Sequence, residues 1–343
     1  MIRNSSMIPW LLCAVATCAC ASDIDDSLDE SSPELEMGAV EQAATNVTSV
    51  YQDIFYGGAY GVSLPEGDYK LPALESRGVI NDDISSLKVT PGYMTALFEH
   101  DDFAYGKSGR MLLAYSDTVS LVPQDFNDVA SSIVVVSSAN HKHLSRSSKG
   151  VLYTLKLLNS DARVPETTWS RVTICWFNRY YQMVERFKNP NAPLDLLVVI
   201  GANENQNNWG PGRVYLSGEG LNNNPYDVDV MTHEQFHAVQ SGYQNAPGWA
   251  TEGLADYARY KYGIYNAQGG WKLPSPPISG SYKDGYRNTA RFFVWLEKKK
   301  RASFPTDLHA ACLAGYTDGF WAAKFSGKTV DQLWAEYVAN PTL

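Results

Sequence analysis

The feature of this sequence that most constrains its fold is an internal repeat over residues 47–136. The six-residue motif Asn-Asp-x-x-Ser-Ser begins at residue 81 and again at residue 127, so the two copies are 127 − 81 = 46 residues apart. A segment rich in aromatic residues and glycine precedes each copy, at 51–58 and 98–106. Recurrence at a fixed spacing indicates that one supersecondary unit is used twice.

Short runs of β-branched and aromatic residues surround the two motifs, at 86–89, 93–98 and 132–136. Gly and Asp residues separate these runs, which predicts short antiparallel strands joined by turns. The repeat, the aromatic corners ending in glycine and the two motifs together resemble the βγ-crystallin domain. That resemblance implies an all-β Greek-key sandwich over residues 46–137.

The resemblance also implies that both Asn-Asp-x-x-Ser-Ser motifs bind Ca²⁺. The ligands that it assigns are Asp82, the Asp83 carbonyl and Ser85 in the first motif, with Asp128, the Val129 carbonyl and Ser131 in the second. Calcium prefers hard oxygen ligands, and carboxylates, hydroxyls and turn carbonyls crowd both motifs. The alternative is that these residues only cap turns. Two copies at matching positions favour calcium.

Residues 1–21 have the features of an export signal. Arg3 supplies a positive charge, and residues 7–16 form a short apolar run. Two kinds of processing fit the small residues and cysteines that follow. One is ordinary cleavage at Ala19-Cys20-Ala21, and the other is lipidation of Cys18 or Cys20 at a bacterial lipobox. The predicted location is therefore outside the cell, either secreted or anchored to the outer surface.

Residues 22–45 predict an acidic tether. Eight carboxylates and no Lys or Arg lie between residues 23 and 41, and few apolar residues accompany them. Such a segment buries too little surface to fold. The sequence leaves open whether the tether acts as a propeptide.

The sequence contains no basic stripe of the kind that would indicate a nucleic-acid partner. No run of residues after the export signal reaches the roughly 20 apolar residues needed to span a bilayer. Membrane contact is expected only through a lipid anchor.

The polar segment 138–150 predicts a linker, and the pattern changes after it. Residues 168–187 have helical spacing, whereas 194–200 and 212–218 have the composition of strands. A second domain of α+β class is therefore expected over 151–343. Its two cysteines, Cys175 and Cys312, either pair in a disulfide, as in many exported proteins, or stay as buried thiols.

The second domain contains the motif His-Glu-x-x-His within a predicted helix over 228–240. Its two histidines, His233 and His237, are four residues apart and therefore lie on one face of the helix. This arrangement can place two imidazoles on one zinc ion, with Glu234 beside the attacking water.

A second predicted helix, 251–259, can complete the site. A catalytic zinc ion takes three protein ligands and leaves one position for water. Glu252 is the predicted third ligand. Asp256, one turn later, is predicted to accept the outer N–H of a ligand imidazole, with His233 the expected partner.

This arrangement resembles the glutamate-zincin metallopeptidases, and more closely the plant basic secretory protein family and its bacterial relatives. The segments that carry the resemblance are 233–240, 252–259, 284–293 and 333–337. It implies a zincin-like metallopeptidase domain that hydrolyses peptides or proteins, with Glu234 as general base. Tyr286 is the candidate oxyanion donor and Tyr282 the second choice. The 212–218 strand is the expected edge along which a peptide lies extended.

Three other functions compete with a zinc peptidase. A structural zinc site would usually have four protein ligands, commonly cysteines, and no cysteine is near this motif in the sequence. A non-catalytic surface-binding protein could use the βγ-crystallin domain alone, although the intact Glu234 argues against it. Hydrolysis of a non-peptide amide would use the same zinc chemistry. The sequence does not distinguish cleavage specificities or oligomeric states.

Overall fold

The computed structural model describes residues 46–101, 103, 109–202, 207–210 and 212–343. The predicted export signal and acidic tether lie outside these residues, as does part of the second aromatic corner (Ala104, Tyr105 and Gly106). The described residues belong to one compact unit. No described helix has the length and apolarity needed to cross a bilayer.

The first half of this unit is a β-sandwich, as predicted. Its described elements are β1 (Thr48–Asp53), β2 (Gly57–Leu64), β3 (Gly67–Tyr69), α1 (Leu71–Glu75), β4 (Ser86–Val89), β5 (Tyr93–Phe98), β6 (Met111–Ala114) and β7 (Ser132–Ser137). One sheet has the strand order β2-β1-β4 and the other β3-β7-β5-β6, and all neighbours are antiparallel.

Each repeat donates a segment to the sheet of the other repeat. Strand β3 belongs to the first repeat by sequence but pairs with β7. In return, Thr118 of the second repeat bridges to Leu87 in β4. This exchange is the Greek-key crossing expected from the resemblance. It encloses a shared core that includes Val50, Leu64 and Ile133.

The second half is an α+β domain. Its described elements are β8 (His141–Ser148), β9 (Val151–Asn159), α2 (Glu166–Phe187), β10 (Asp195–Gly201), β11 (Asn208–Gly210), β12 (Arg213–Ser217), α3 (Gly218–Asn223), α4 (Val230–Val239), α5 (Gly248–Tyr262), α6 (Tyr286–Lys299), α7 (Phe304–Gly315), α8 (Gly319–Lys324) and α9 (Val330–Ala339). The sheet order is β11-β12-β10-β9-β8. Strands β9, β10 and β12 are parallel, and both outer strands are antiparallel to their neighbours.

Strand β10 is apolar on both faces because both faces of its sheet are covered. Alternate side chains point to opposite sides of a strand. Leu196, Val198 and Ile200 belong to the core formed with the helices. Leu197 and Val199 instead belong to a separate apolar cluster that also contains residues of β5 and β7 from the first half.

The two halves therefore share a packed interface. On the β12 side, the Tyr215 ring stacks on Phe103 with their centroids 5.0 Å apart, and its hydroxyl hydrogen-bonds to the carboxylate of Asp68. Phe103, Tyr215 and Asp68 are all at most 5% exposed. The interface is a third hydrophobic core of the unit rather than a loose contact.

The prediction of a polar linker over 138–150 is wrong. Residues 141–148 form the edge strand β8, which pairs with β9 along its whole length. Its side chains alternate between half-buried and exposed. Because none of them is fully buried, this edge strand can have the polar composition that is typical of a loop. Cys175 and Cys312 are free, buried thiols, which selects the second of the two alternatives left open for them.

Candidate metal centre

The predicted His-Glu-x-x-His helix is α4, and the helix that follows it is α5. Helix α4 is buried along nearly its whole length and packs against both α2 and α5. Asp229, just before α4, accepts a hydrogen bond from Thr232 and another from the backbone of Tyr265. These contacts fix the start of α4 and hence the direction in which its histidines point.

Three side chains from α4 and α5 converge at the bottom of a cleft. The Nε2 atoms of His233 and His237 are 3.1 Å apart. Glu252 Oε2 lies 3.2 Å from the first of these nitrogens and 3.6 Å from the second. These are the three residues whose ligand atoms lie close enough together for one ion to contact all of them, among the described residues.

The triangle formed by these three atoms has the size required by zinc. Tetrahedral coordination with arms of roughly 2.0–2.1 Å separates the ligand atoms by about 3.3–3.4 Å. The three edges observed here are 3.1, 3.2 and 3.6 Å. The donor set, two imidazoles and one carboxylate, is also one that catalytic zinc sites use.

Both histidines are held by a second polar group on the ring nitrogen that faces away from the triangle. His233 Nδ1 lies 2.7 Å from Asp256 Oδ1, the contact predicted from the sequence. His237 Nδ1 lies 2.6 Å from Gln240 Oε1, a partner that the sequence analysis missed. The spacing of three residues between His237 and Gln240, which puts both on one helix face, was the available signal.

The electrostatics of the triangle favour a cation. Burial disfavours the charged form of His233, but the hydrogen bonds with Asp256 and Glu252 outweigh burial and raise its pKa to about 10. Burial disfavours the charged form of Glu252 as well, yet its contacts with the two imidazoles hold the pKa of this carboxyl well below its usual range. A metal ion would take the place of the proton that these contacts stabilise.

Glu234 lines the same cleft and is 6% exposed. Burial raises the pKa of its carboxyl, an effect that the two neighbouring histidines oppose. A raised pKa brings a carboxyl closer to the range in which it can both accept and return a proton.

The cleft has a volume of about 960 Å³ and opens to solvent. Tyr286 lines it, with its ring parallel to that of His233 and their centroids 5.9 Å apart. Tyr282, the second choice, is 4% exposed and donates to Asp331. It lines a different cavity, together with Trp249.

The backbone at Tyr286 is strained. Gly285 has φ +72° and Tyr286 has φ +46°, and for a bulky residue a positive φ is an outlier that persists only where the surroundings enforce it. Tyr286 is nevertheless 55% exposed. The start of α6 therefore places a large polar side chain at the mouth of the cleft rather than in the core.

Other wall residues were not predicted. Arg259 is bonded to Asp227 and lies under the ring of Trp271, 4.7 Å from its centroid. All three line the cleft, as does the exposed side chain of Arg287. The position of Arg259 one turn beyond Asp256 was a usable signal, whereas Trp271 reaches the cleft through a loop that follows no regular period.

The prediction that the 212–218 strand is a free edge is wrong. Strand β12 lies inside the sheet, between β10 and the short strand β11. Strand β11 has only three residues, too few to give a recognisable pattern in the sequence. The outer edge on this side of the sheet therefore belongs to Asn208–Gly210.

The predicted calcium ligands meet across the two repeats. The Ser85 hydroxyl donates to Asp128 Oδ1 over 2.9 Å, and the Ser131 hydroxyl lies 3.0 Å from Asp82 Oδ1. Asp82 and Asp128 share the same unusual φ, +52° and +53°. The pairing of each serine with the aspartate of the other motif creates two equivalent oxygen-rich sites.

Two further oxygens at these sites suit a cation. Asp83 Oδ2 and Asn127 Oδ1 are buried and have no hydrogen-bond donor within the described part of the chain. The Asp83 carbonyl, which is one of the predicted calcium ligands, accepts a hydrogen bond from the Tyr60 hydroxyl over 2.9 Å. Val129, the other carbonyl ligand, has its side chain against the core of the sandwich.

Together these features define a two-part protein, in which a βγ-crystallin-like sandwich packs on an α+β domain of zincin-like architecture. Residues 222–337 match the family model described as BSP, peptidase of plants and bacteria. The matched segment contains α4, α5 and α6, and with them every predicted residue of the metal centre. The resemblance predicted for the second half is confirmed.

The first half is similar to known βγ-crystallin domains. Development-specific protein S of Myxococcus xanthus is 36% identical over 92 residues, which are 27% of this chain and 49% of that protein. A βγ-crystallin domain from Flavobacterium johnsoniae is 41% identical, with 27% of this chain and 96% of that one covered and a TM-score of 0.25. A βγ-crystallin domain from Clostridium beijerinckii is 37% identical, with 27% of this chain and 99% of that chain covered and a TM-score of 0.24. The chain spans about half the length of the curated relatives it matches.

Proposed function

We propose that the chain is an exported zinc-dependent peptidase that carries a calcium-binding βγ-crystallin module. The observation that carries the proposal is the triangle of His233, His237 and Glu252, with edges of 3.1, 3.2 and 3.6 Å. The family match over residues 222–337 supports peptide hydrolysis as the reaction. Export is the part of the proposal that rests on residues 1–21 alone.

Zinc fits better than other metals because of the donors and their number. Two imidazoles and one carboxylate suit zinc, whereas calcium and magnesium prefer sites made of oxygen alone. Three protein ligands leave a position open to the cleft, as catalytic sites require. Neither described cysteine lines this cleft, which argues against a closed structural site.

In the proposed mechanism a zinc ion, when bound, supplies a Lewis acid that acidifies water and polarises the substrate carbonyl. Glu234 takes a proton from the attacking water and later returns it to the leaving amine. Burial of this carboxyl suits the double role, because it raises the pKa towards the working pH. Asp256 and Gln240 keep the two imidazoles in the tautomer that carries its hydrogen on Nδ1 and leaves the lone pair of Nε2 directed at the triangle.

Tyr286 is the proposed donor to the oxyanion. Its ring lies parallel to that of His233 and lines the cleft, at the first residue of α6. A phenol that hydrogen-bonds to the oxygen only as negative charge develops would stabilise the transition state more than the substrate.

The calcium part of the proposal rests on the crosswise pairs Ser85–Asp128 and Ser131–Asp82. These oxygens, with the orphaned Asp83 Oδ2 and Asn127 Oδ1, offer the hard donors that calcium prefers. Calcium would then stabilise the sandwich rather than take part in hydrolysis.

Metal analysis combined with a peptidase assay tests the proposed function. The mature chain should contain one zinc ion and cleave a mixture of peptides. A chelator should abolish cleavage, and added zinc should restore it. Zinc bound without cleavage of any peptide would favour a non-peptide amide substrate or a binding role. Cleavage that survives complete removal of metal would contradict the proposal.

A further inference from the structure

One side chain at the end of α4 contacts both helices that carry the metal-ligand group. Gln240 is the residue after α4 and is 4% exposed. Its Oε1 lies 2.6 Å from His237 Nδ1, and its Nε2 donates to the Thr251 carbonyl over 2.9 Å. Thr251 immediately precedes Glu252. The amide therefore touches one member of the triangle directly and the backbone next to another.

These two contacts determine which way the amide faces. A backbone carbonyl only accepts hydrogen bonds, so the Gln240 atom opposite Thr251 must be the nitrogen. The amide oxygen then faces His237, and Nδ1 of that ring must carry the hydrogen. In a neutral imidazole this leaves the lone pair on Nε2. That nitrogen is the His237 atom that lies 3.6 Å from Glu252 Oε2.

A hydrogen-bonded pair of side chains, Tyr243 and His309, lies next to Gln240. The Tyr243 backbone N–H donates to the Gln240 carbonyl over 3.2 Å, and the Tyr243 hydroxyl lies 2.7 Å from His309 Nδ1. His309 is 1% exposed and packs edge-on against the ring of Phe187. A rotated amide would leave buried polar atoms facing the wrong partners, which costs more than the loss of a solvated hydrogen bond.

We propose that Gln240 is a positioning residue that clamps the metal centre. It holds His237 in the tautomer that can bind the ion and ties the first turn of α5, with Glu252, to the end of α4. The inference rests on the proposed zinc peptidase function. The partner of His237 is a neutral amide, whereas His233 has the carboxylate of Asp256. The clamp therefore orients its ring without adding a charge to a cleft that is already lined by four carboxylates, those of Asp227, Glu234, Glu252 and Asp256.

The test compares Gln240→Met, Gln240→Glu and Gln240→Ala in the full chain. The Met variant keeps the approximate volume but loses both hydrogen bonds. The Glu variant keeps an acceptor for His237 and loses the donor to Thr251. Gln244→Ala is the matched control, because Gln244 has the same side chain four residues later and is exposed. Zinc affinity is measured by competition with a chelator, and the melting temperature of the metal-free chain reports the fold.

Gln240→Met should weaken zinc binding by about 10–100-fold, the usual effect of losing a partner of a metal ligand, while the metal-free melting temperature stays near that of Gln244→Ala. At saturating zinc, kcat should fall with little change in KM. Gln240→Glu should recover only part of the affinity, and it carries the test if the Met and Ala variants fail to fold.

Two results would overturn the inference. Zinc affinity in Gln240→Met equal to that of Gln244→Ala would show that the amide does not position the centre. Full recovery in Gln240→Glu would show that the bond to Thr251 is no part of the clamp. If the unmodified chain bound no zinc, the proposed function would fail first, and this inference would fail with it.

Discussion

The two candidate metal sites of this chain are built in opposite ways. In the second half, His233, His237 and Glu252 converge, and separate groups, Asp256 and Gln240, orient the two imidazoles from behind. In the first half, the candidate calcium ligands satisfy one another, because Ser85 bonds to Asp128 and Ser131 to Asp82. An ion in the second half would displace the contact between His233 and Glu252, whereas ions in the first half would displace the hydrogen bonds that join the two repeats.

This difference predicts different consequences of metal binding. Ligands held in place by other groups lose little conformational freedom when an ion binds, so binding should be tight and local. The candidate calcium ligands join the two repeats, so the gain from calcium binding should appear mainly as stability of the sandwich. The following predictions test this contrast.

The largest expected effect is loss of zinc in Glu252→Ala. The substitution removes one of three ligands and leaves a site that catalytic zinc proteins do not use. Zinc stoichiometry after equilibration with a competing chelator should fall close to zero. Glu219→Ala removes an exposed carboxylate from α3 and should bind zinc as the unmodified chain does. Full zinc retention in Glu252→Ala would move the third ligand elsewhere, first to Asp256.

The second prediction asks whether the two halves are independent. Phe103→Ala should lower the free energy of unfolding by about 3–5 kcal/mol, the usual cost of truncating a buried aromatic side chain. Phe103 is 5% exposed and stacks on Tyr215 of the other half. Denaturant unfolding should show one transition that shifts as a whole. Two transitions, of which only one moved, would show that the halves unfold separately.

A truncation at residue 145 sharpens the same point. It would divide β8 and uncover the apolar face of the second sheet that includes Leu197 and Val199. We expect the fragment 145–343 to be poorly soluble. A soluble, zinc-loaded fragment with the kcat/KM of the mature chain would contradict this expectation and would show that the β-sandwich is not needed for hydrolysis.

Calcium should have a smaller effect, and on stability rather than on hydrolysis. At 100 times the Kd, one bound ion raises the free energy of unfolding by about 2.7 kcal/mol. The melting temperature should rise with calcium, and Asp82→Ala and Asp128→Ala should each reduce the rise. Magnesium serves as the control ion because it demands a stricter octahedral site. Unchanged melting at millimolar calcium, with no heat in a titration, would leave the motifs as turn caps.

The smallest of these effects is expected in Asp256→Ala. This carboxylate accepts from His233 Nδ1 over 2.7 Å but does not belong to the triangle. Its loss should weaken zinc binding by about 10–100-fold without abolishing it. The ratio of the zinc affinities of Asp256→Ala and Glu252→Ala is the measurement. Equal and complete loss in both would place Asp256 among the ligands.

The sequence predicted what depends on local periodicity. The spacing of His233 and His237 along α4, and of Glu252 and Asp256 along α5, follows from helical geometry alone. The composition of the repeat predicted short antiparallel strands, whereas the sandwich was implied by the resemblance to the βγ-crystallin domain.

What the sequence did not predict depends on tertiary placement. The role of Gln240 follows from the position of the Thr251 carbonyl, which no pattern within α4 encodes. Strand β8 was missed because an edge strand can carry the polar residues of a linker. The interface between the two halves was missed because β10 has the same apolar composition as any strand that is buried on both faces. The sequence does not show which neighbour covers each face.

The central claim, that the triangle and Glu234 form one hydrolytic site, is tested most directly by Glu234→Gln. Zinc content and peptide cleavage are measured on the same preparation. The ligands are unchanged, so zinc should stay bound. Turnover should fall by at least ~10²-fold because the general base is lost. Full activity with zinc bound would contradict the assignment of Glu234. Loss of zinc together with activity would show that Glu234 belongs to the metal site itself.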